Sequence, residues 1–375
     1  MLILGIETSC DETSVALVED GRIIRANDIV SQALLHARFG GVVPEVASRA
    51  HIRRLIPMID ACLTNTGLTL DDVDALAVTL GPGLIGALLV GVETAKALAF
   101  SRQKPLIPVH HIAGHLYAPF LSSAEHGQPR TKNEAAPLPR YPYIGLAVSG
   151  GHTSLVFVSS PVSFHLLGET VDDAAGETMD KIARLLELGY PGGPLIDNMA
   201  LGPPPGNPCA FKLPRPMIAC GNLNFSFSGL KTAVIKLARD IGLQRLRGDE
   251  QMMRDLCASF QEAVVDVLLT KAEAALESTG AHTLAIVGGV ACNSRLRALA
   301  PRRLKGAIIN FPPPELCTDN AAMIAGLAWH LRQFHPACDL ALNARADLPL
   351  NTETRTTTDN HGQPRVWWSG GGSNP

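Results

Sequence analysis

One pattern in the chain occurs twice. Leu4-Gly5-Ile6 followed by Thr13-Ser14-Val15-Ala16-Leu17-Val18 returns 140 residues later as Ile144-Gly145-Leu146 followed by Thr153-Ser154-Leu155-Val156-Phe157-Val158. Glycine, threonine and serine match at the fixed offset, and the apolar positions match in kind. Each copy has a short apolar run, a polar turn and a second apolar run, the pattern of a β-hairpin with a polar tip. A looser echo joins Ala77-Val78-Thr79-Leu80-Gly81 to Ala285-Ile286-Val287-Gly288-Gly289, each an apolar strand ending on glycine before a helical stretch. The repeated order of elements predicts a duplicated α/β fold, two lobes around a central cleft.

Composition narrows the class. At 375 residues, 46% hydrophobic and 18% charged, the chain can bury a large core, which excludes global disorder. A net charge of −3 excludes a basic coat, so nucleic-acid contact would fall on local patches. Three are visible: Arg49, Arg53 and Arg54; Arg295, Arg297, Arg302, Arg303 and Lys305; and Lys212, Arg215 and Lys231 around Phe225-Ser226-Phe227-Ser228-Gly229. A solvated face is the other reading of each. The eight cysteines form no C-x-x-C and read as reduced cytoplasmic thiols. The opening MLILGIETSCDE turns acidic too early for a signal peptide. The most apolar stretch, 75–100, is broken by Gly81-Pro82-Gly83, Glu93 and Lys96, and reads as strand, turn and helix with no membrane span. A helix is expected over 44–65 and another over 84–100, with a strand at 106–109 delivering His110 and His111.

The motif richest in chemistry is His111-Ile112-Ala113-Gly114-His115. On a helix, imidazoles at i and i+4 share a face and could share a metal. A pair of satisfied histidines remains the other possibility. A zinc protease of the H-E-x-x-H kind carries glutamate after its first histidine; Ile112 stands there instead. Asp319, after Pro312-Pro313-Pro314 and before an alanine-rich helix, is the best third ligand, unless it serves as that helix's N-cap. Turns at Thr8–Thr13, Ser149-Gly150-Gly151-His152 and Gly288-Gly289 follow apolar strands, where backbone N–H groups can receive phosphate. Asp172 and Asp180, eight apart, could share one helix face. Tyr190-Pro191-Gly192-Gly193-Pro194 is a rigid turn, followed by Asp197.

Together, Gly5-Ile6-Glu7-Thr8-Ser9-Cys10-Asp11-Glu12-Thr13, His111–His115, Val148-Ser149-Gly150-Gly151-His152-Thr153, Asp172–Glu177, Tyr190–Pro194 and Cys317-Thr318-Asp319-Asn320 resemble one family from about residue 2 to about 340. It is the bacterial tRNA N6-adenosine threonylcarbamoyltransferase family, once labelled sialoglycoprotein endopeptidases. The resemblance implies the actin-like, Hsp70 and sugar-kinase (ASKHA) fold. It implies transfer of a threonylcarbamoyl group from threonylcarbamoyl-adenylate to N6 of the adenosine 3′ to the anticodon, in tRNAs reading codons that begin with A, with release of AMP. By resemblance, His111, His115 and Asp319 hold a divalent metal, Fe2+ first and Zn2+ also suited. Ala147, Val148, Ser149, Gly150, Gly151, Asp180, Gly193, Asp197 and Asn293 contact the adenylate, and Glu12 or Asp11 takes the amine proton. Expected partners are tRNA, a paralogous subunit of the TsaB type and an ATPase of the TsaE type, with a homodimer in isolation. The helix at 84–100, with Gly86 and Gly91, is either the pairing face or a buried core helix. The expected division is a first lobe at 1–121 with a helix at about 320–345 returning to it, a polar linker or insertion at 122–140, a second lobe at 141–319 and a disordered tail at 346–375. A metal-dependent peptidase and a non-catalytic ASKHA scaffold are the alternatives. The latter need not keep the His–His–Asp set that this chain has.

Overall fold

The computed structural model describes residues 1–123, 138–335 and 337–350, and the backbone of a short antiparallel pair at 357–358 and 364–365. The first half opens with three antiparallel strands, β1 (Leu2–Glu7), β2 (Glu12–Glu19) and β3 (Ile23–Ser31). After a short α1 (Ala33–Ala37) comes α2 (Pro44–Thr66). Proline in its first turn and Gly67 at φ 68° beyond its last residue set the ends of α2. Then follow β4 (Ala75–Gly81), α3 (Ile85–Arg102), β5 (Leu106–His110), α4 (His111–Tyr117) and β6 (Ser122–Ser123). The sheet order is β5-β4-β1-β2-β3-β6, with β4 parallel to β1 and β5 parallel to β4.

The second half repeats this. It has β7 (Tyr143–Val148), β8 (Thr153–Ser160) and β9 (Ser163–Glu169), then the helices α5 (Ala175–Leu185), α6 (Gly192–Leu201), α7 (Ser228–Ile241), α8 (Leu243–Gly248) and α9 (Glu250–Thr279). It closes with β10 (Thr283–Val287), α10 (Ser294–Arg303), β11 (Ile308–Asn310), α11 (Pro314–Cys317) and α12 (Ala321–Leu331). The order β11-β10-β7-β8-β9 matches the first five strands of the first sheet, which alone adds β6, and β10 lies parallel to both β7 and β11. This is the duplicated α/β architecture that the repeat predicts, in the ASKHA form that the resemblance implies.

The two helices that follow the fifth strands, α4 and α12, lie between the sheets. One apolar core joins Ile3, Ala77 and Val109 of the first sheet, Tyr143, Val156 and Val287 of the second, and Ala113, Leu116, Ile324 and Ala325 of the two helices. Glycine allows the close approach. A Cβ on Gly5 would stand 2.5 Å from the Ala321 carbonyl oxygen and 2.9 Å from the Ala325 Cβ. At the repeat-related position, a Cβ on Gly145 would meet Leu116. So α12, from the end of the second half, packs on the first sheet, while Leu116 of α4 packs on the second.

Several expectations need correction. The returning helix ends at Leu331, with one 3-10 turn after it, and does not run to 345. Residues 346–350 are packed: Gly83 N–H donates to the Ala346 carbonyl, and Leu348 and Leu350 are buried. The rest of the expected tail, apart from the backbone pair, lies outside the described residues, as do 124–137 of the expected linker. Asp172 precedes α5 and shares no face with Asp180; its carboxylate accepts from Phe227 N–H at 2.8 Å, capping the start of α7. The face of α3 that carries Gly91 is buried, and both of its glycines serve packing within the chain. Gly91 abuts Thr8 and Gly86 abuts Ser48.

The Gly5 contact yields a stability test. Gly5→Ala must push α12 off β1 and should destabilise the fold by about 1–3 kcal/mol, read as a lower urea midpoint. An unchanged midpoint would mean that α12 lifts without cost.

Candidate active site

His110 ends β5 and turns its ring back. Its Nδ1 accepts from Ile112 N–H at 3.1 Å and Ala113 N–H at 3.4 Å, capping α4. Its Nε2 meets the Leu348 carbonyl at 3.0 Å. Burial holds this ring neutral, its pKa lowered to about 3. The cap starts α4 at His111, so His111 and His115 fall on one face with ring centroids 4.7 Å apart. Ile112 is buried in the core, so no group stands where a peptidase would carry its base.

Asp319 comes from the other half. Asn320 caps α12 through Met323 N–H at 3.0 Å, which frees Asp319 from that role. The Asp319 carboxylate lies 3.0 Å from His115 Nε2 and 3.5 Å from His111 Nε2. The three donor groups lie within 4.8 Å of one another.

Glu7 organises the set from behind. It is fully buried at the end of β1, and its Oε2 lies 3.0 Å from His111 Nδ1. Thr79 Oγ1 donates to the same oxygen at 2.6 Å, and Ser9 N–H donates to Oε1 at 2.5 Å. Ser9 Oγ also reaches His111 Nδ1, at 3.2 Å. A carboxylate on Nδ1 fixes the ring and leaves Nε2 aimed at Asp319, the second-layer arrangement typical of metal-binding histidines. Burial alone would raise the Glu7 carboxyl and lower the His111 imidazole. Their attraction, with that of Asp319 for His111, reverses both: Glu7 is held below and His111 well above its ordinary value.

The hairpin tip between β1 and β2 supplies Asp11 and Glu12. Burial, then the charges of Asp319 and Asp11, push the Glu12 carboxyl well above the usual range. Ser31 Oγ donates to Glu12 Oε1 at 3.2 Å. Across the cleft, burial raises Asp180, and the Asp11 charge adds to it. Tyr190 is raised by burial and then by Asp11 and Asp180. The structure thus brings Asp11, Glu12, Asp180 and Tyr190 within electrostatic reach of one another.

The remaining sequence candidates sit around this cleft. Ala147 and Val148 end β7 in the core, and Gly150 and Gly151 form an open turn where an added Cβ would touch nothing within 4 Å. His152, on that turn, sets its ring centroid 6.4 Å from that of His111. Asp180 Oδ1 accepts from Gly192 N–H at 2.7 Å, fixing the turn before Gly193. Asp197 is engaged internally by Ser294 N–H at 3.0 Å, Ser294 Oγ at 2.6 Å and Gln261 Nε2 at 2.8 Å. Asn293 caps α10 through Leu296 N–H at 3.0 Å. Sequence reasoning assigned no side-chain role to Glu7, Ser9, Thr79, His152 or Ser294. Glu7 had a signal: a lone carboxylate closing an otherwise apolar strand.

The basic patches are mostly committed within the chain. Arg295 pairs with Glu262, Arg303 and Arg215 with Asp266, Lys231 with Asp173 and Arg49 with Glu45. Among the described residues, no helix is long and apolar enough to cross a membrane.

Known proteins agree with this geometry. Full-length HypF in a phosphate- and nucleotide-bound form shares the fold, with a TM-score of 0.54 at 13% identity, over 88% of this chain and 46% of that one. HypF from T. kodakarensis gives a TM-score of 0.51 at 14% identity, over 88% of this chain and 47% of its own. Among sequences, the tRNA N6-adenosine threonylcarbamoyltransferase of Chromobacterium violaceum is 49% identical over 352 residues, covering 93% of this chain and 98% of its own. That of Thermomicrobium roseum is 46% identical over 370 residues, covering 94% and 98%. The family model described as TsaD, tRNA N6-adenosine threonylcarbamoyltransferase, matches residues 23–326. With identities this high over nearly the whole of both chains, this chain belongs to the tRNA N6-adenosine threonylcarbamoyltransferase family.

Proposed function

We propose that the cleft transfers a threonylcarbamoyl group from threonylcarbamoyl-adenylate to N6 of the adenosine 3′ to the anticodon, in tRNAs reading codons that begin with A. The observation that carries this reading is the His111–His115–Asp319 set, built from both halves at the base of the cleft of a chain in this family. N6 attacks the carbamoyl carbon, the bond from that carbon to the adenylate oxygen breaks, and AMP leaves. One N6 proton goes to Glu12 Oε2, with Asp11 beside it as the other carboxylate at that tip.

The donor set fits a divalent cation. Two imidazoles and a carboxylate, oriented by Glu7, suit Fe2+ first and Zn2+ also. Such an ion would polarise the carbonyl oxygen of the transferred group. The chain's own residues do the rest. Gly150 and Gly151 offer backbone without side-chain obstruction, as expected for contact with the nucleotide. Asp180, through Gly192, sets the turn that presents Gly193, while Asp197 and Asn293 fix the start of α10 on the far wall. AMP is a good leaving group, so holding the amine and the carbonyl together supplies much of the acceleration. A TsaB-type subunit would cover Ile52 and Ile56 of α2 and Ile85 and Leu89 of α3, which are exposed apolar side chains on two helices packed side by side. A TsaE-type ATPase and a cytoplasmic setting complete the reading.

Nucleoside mass spectrometry of tRNA incubated with the chain, threonylcarbamoyl-adenylate and partners should show the modified adenosine. Asp319→Asn and His115→Ala should each lose the bound ion on elemental analysis and lower transfer by at least about 100-fold. Full transfer by an ion-free variant would refute the metal role. Glu12→Gln should lower the transfer rate by about 10²–10⁴ while leaving ion content intact, and a wild-type rate would move the proton elsewhere. Glu7→Gln should bind the ion about 10–100 times more weakly through loss of ring orientation, measured by competition with a chelator. Unchanged ion affinity would reduce Glu7 to a packing role.

A further inference from the structure

Two cysteines outside the transfer chemistry join the two loops that carry Asn293 and Asp319. Cys292 stands one residue before Asn293, and Cys317 two residues before Asp319. The two thiols lie close enough for each to act on the titration of the other. They also face neighbouring carbonyls of one proline run, Cys317 Sγ meeting the Pro312 oxygen at 3.5 Å and Cys292 Sγ the Pro314 oxygen at 3.8 Å. Arg297 knits the same junction: its Nε donates to the Ala291 carbonyl at 2.7 Å, and its NH2 to the Pro312 carbonyl at 3.1 Å and Cys317 Sγ at 3.5 Å. Cys317 is fully buried, while Cys292 is only partly buried.

We propose that Cys292 and Cys317 form a peroxide-sensitive thiol pair whose closure to a disulfide shifts Asp319 and switches the site off. Cys292 attacks one oxygen of hydrogen peroxide. The O–O bond breaks, and the departing hydroxide takes up a proton to become water. Cys317 sulfur then attacks the Cys292 sulfenic acid. The S–O bond breaks, hydroxide leaves with the Cys317 proton as a second water, and the S–S bond forms. The two thiols give up two electrons and the peroxide accepts them. The neighbouring Cys317 thiol, with the Arg297 charge, brings the Cys292 thiol down to about 7, which favours the attacking thiolate.

Bond formation draws the sulfurs to covalent separation. The start of α12 cannot follow freely. Ala321 N–H is tied to Ser14 Oγ of β2 at 2.9 Å. The displacement therefore falls on 317–319, which includes Asp319. The effect on catalysis rests on the transferase reading above, whereas the cross-link does not.

The test uses the full chain treated with hydrogen peroxide, alkylated and digested with trypsin. The tryptic fragments 272–295 and 306–332 each contain one cysteine, Cys292 and Cys317. Their disulfide-linked product should appear with peroxide, vanish with dithiothreitol and be absent from Cys292→Ser. Ion retention after desalting and the transfer rate should each fall by at least about tenfold on oxidation and return on reduction, while Cys292→Ser resists. Both cysteines recovered as alkylated thiols, or as separate sulfinic acids, would overturn the pair. A disulfide that leaves ion retention unchanged would overturn the switch. A chain inactive even when reduced would count against the transferase reading alone, because the cross-link is mapped without it.

Discussion

Everything in the site depends on how closely two helices can lie between two sheets. Helix α4 carries the histidines and α12 follows the aspartate, so donor geometry is set by helix packing and only then by side chains. Gly114, between the two histidines, would bring a Cβ to 3.0 Å from Ile324 and 3.2 Å from Met323 of α12. Gly5 and Gly145 do the same against the sheets. Three small residues thus bring His115 and Asp319 to hydrogen-bonding distance although 204 residues separate them. Interiors packed this tightly transmit small displacements, which gives a methyl group far from the chemistry a route into it.

The site's charges are balanced only as a set. Glu7, Asp319, Glu12 and Asp11 crowd two imidazoles in a region with little water. His111, between Glu7 and Asp319, faces part of that negative charge through both ring nitrogens. Glu12 responds instead with a carboxyl pushed well above the usual range, which strengthens it as a proton acceptor. A divalent cation in the same place would offset the same negative charge, which is a reason for a buried acidic cluster to survive in a fold that otherwise buries hydrocarbon.

The duplicated hairpin was legible because a strand repeats every two residues and glycine and threonine mark its turns. The i, i+4 histidines were legible for the same kind of reason, and Asp319 because a proline run and an alanine-rich helix frame it. What escaped was long-range. Nothing near Glu7 says that its carboxylate will meet residue 111, and nothing near Asp172 says that it will cap a helix more than fifty residues on. The arginine clusters show the same limit, since sequence gives their charge but not the Glu262 and Asp266 that engage Arg295, Arg303 and Arg215. The segment 346–350 looked like tail because its polar neighbours hide two leucines that the core accepts.

The return of α12 to the first sheet also has a consequence in time. A chain made from its N-terminus completes both hairpins, and both histidines, long before it has residue 319. Until then the Gly5 face of the first sheet lacks its cover and the histidines lack their carboxylate. The same helix closes the core and finishes the donor set, so a half-made chain has neither. Completion of the fold and readiness to take up an ion therefore coincide, at the point where residues 319–331 have been made.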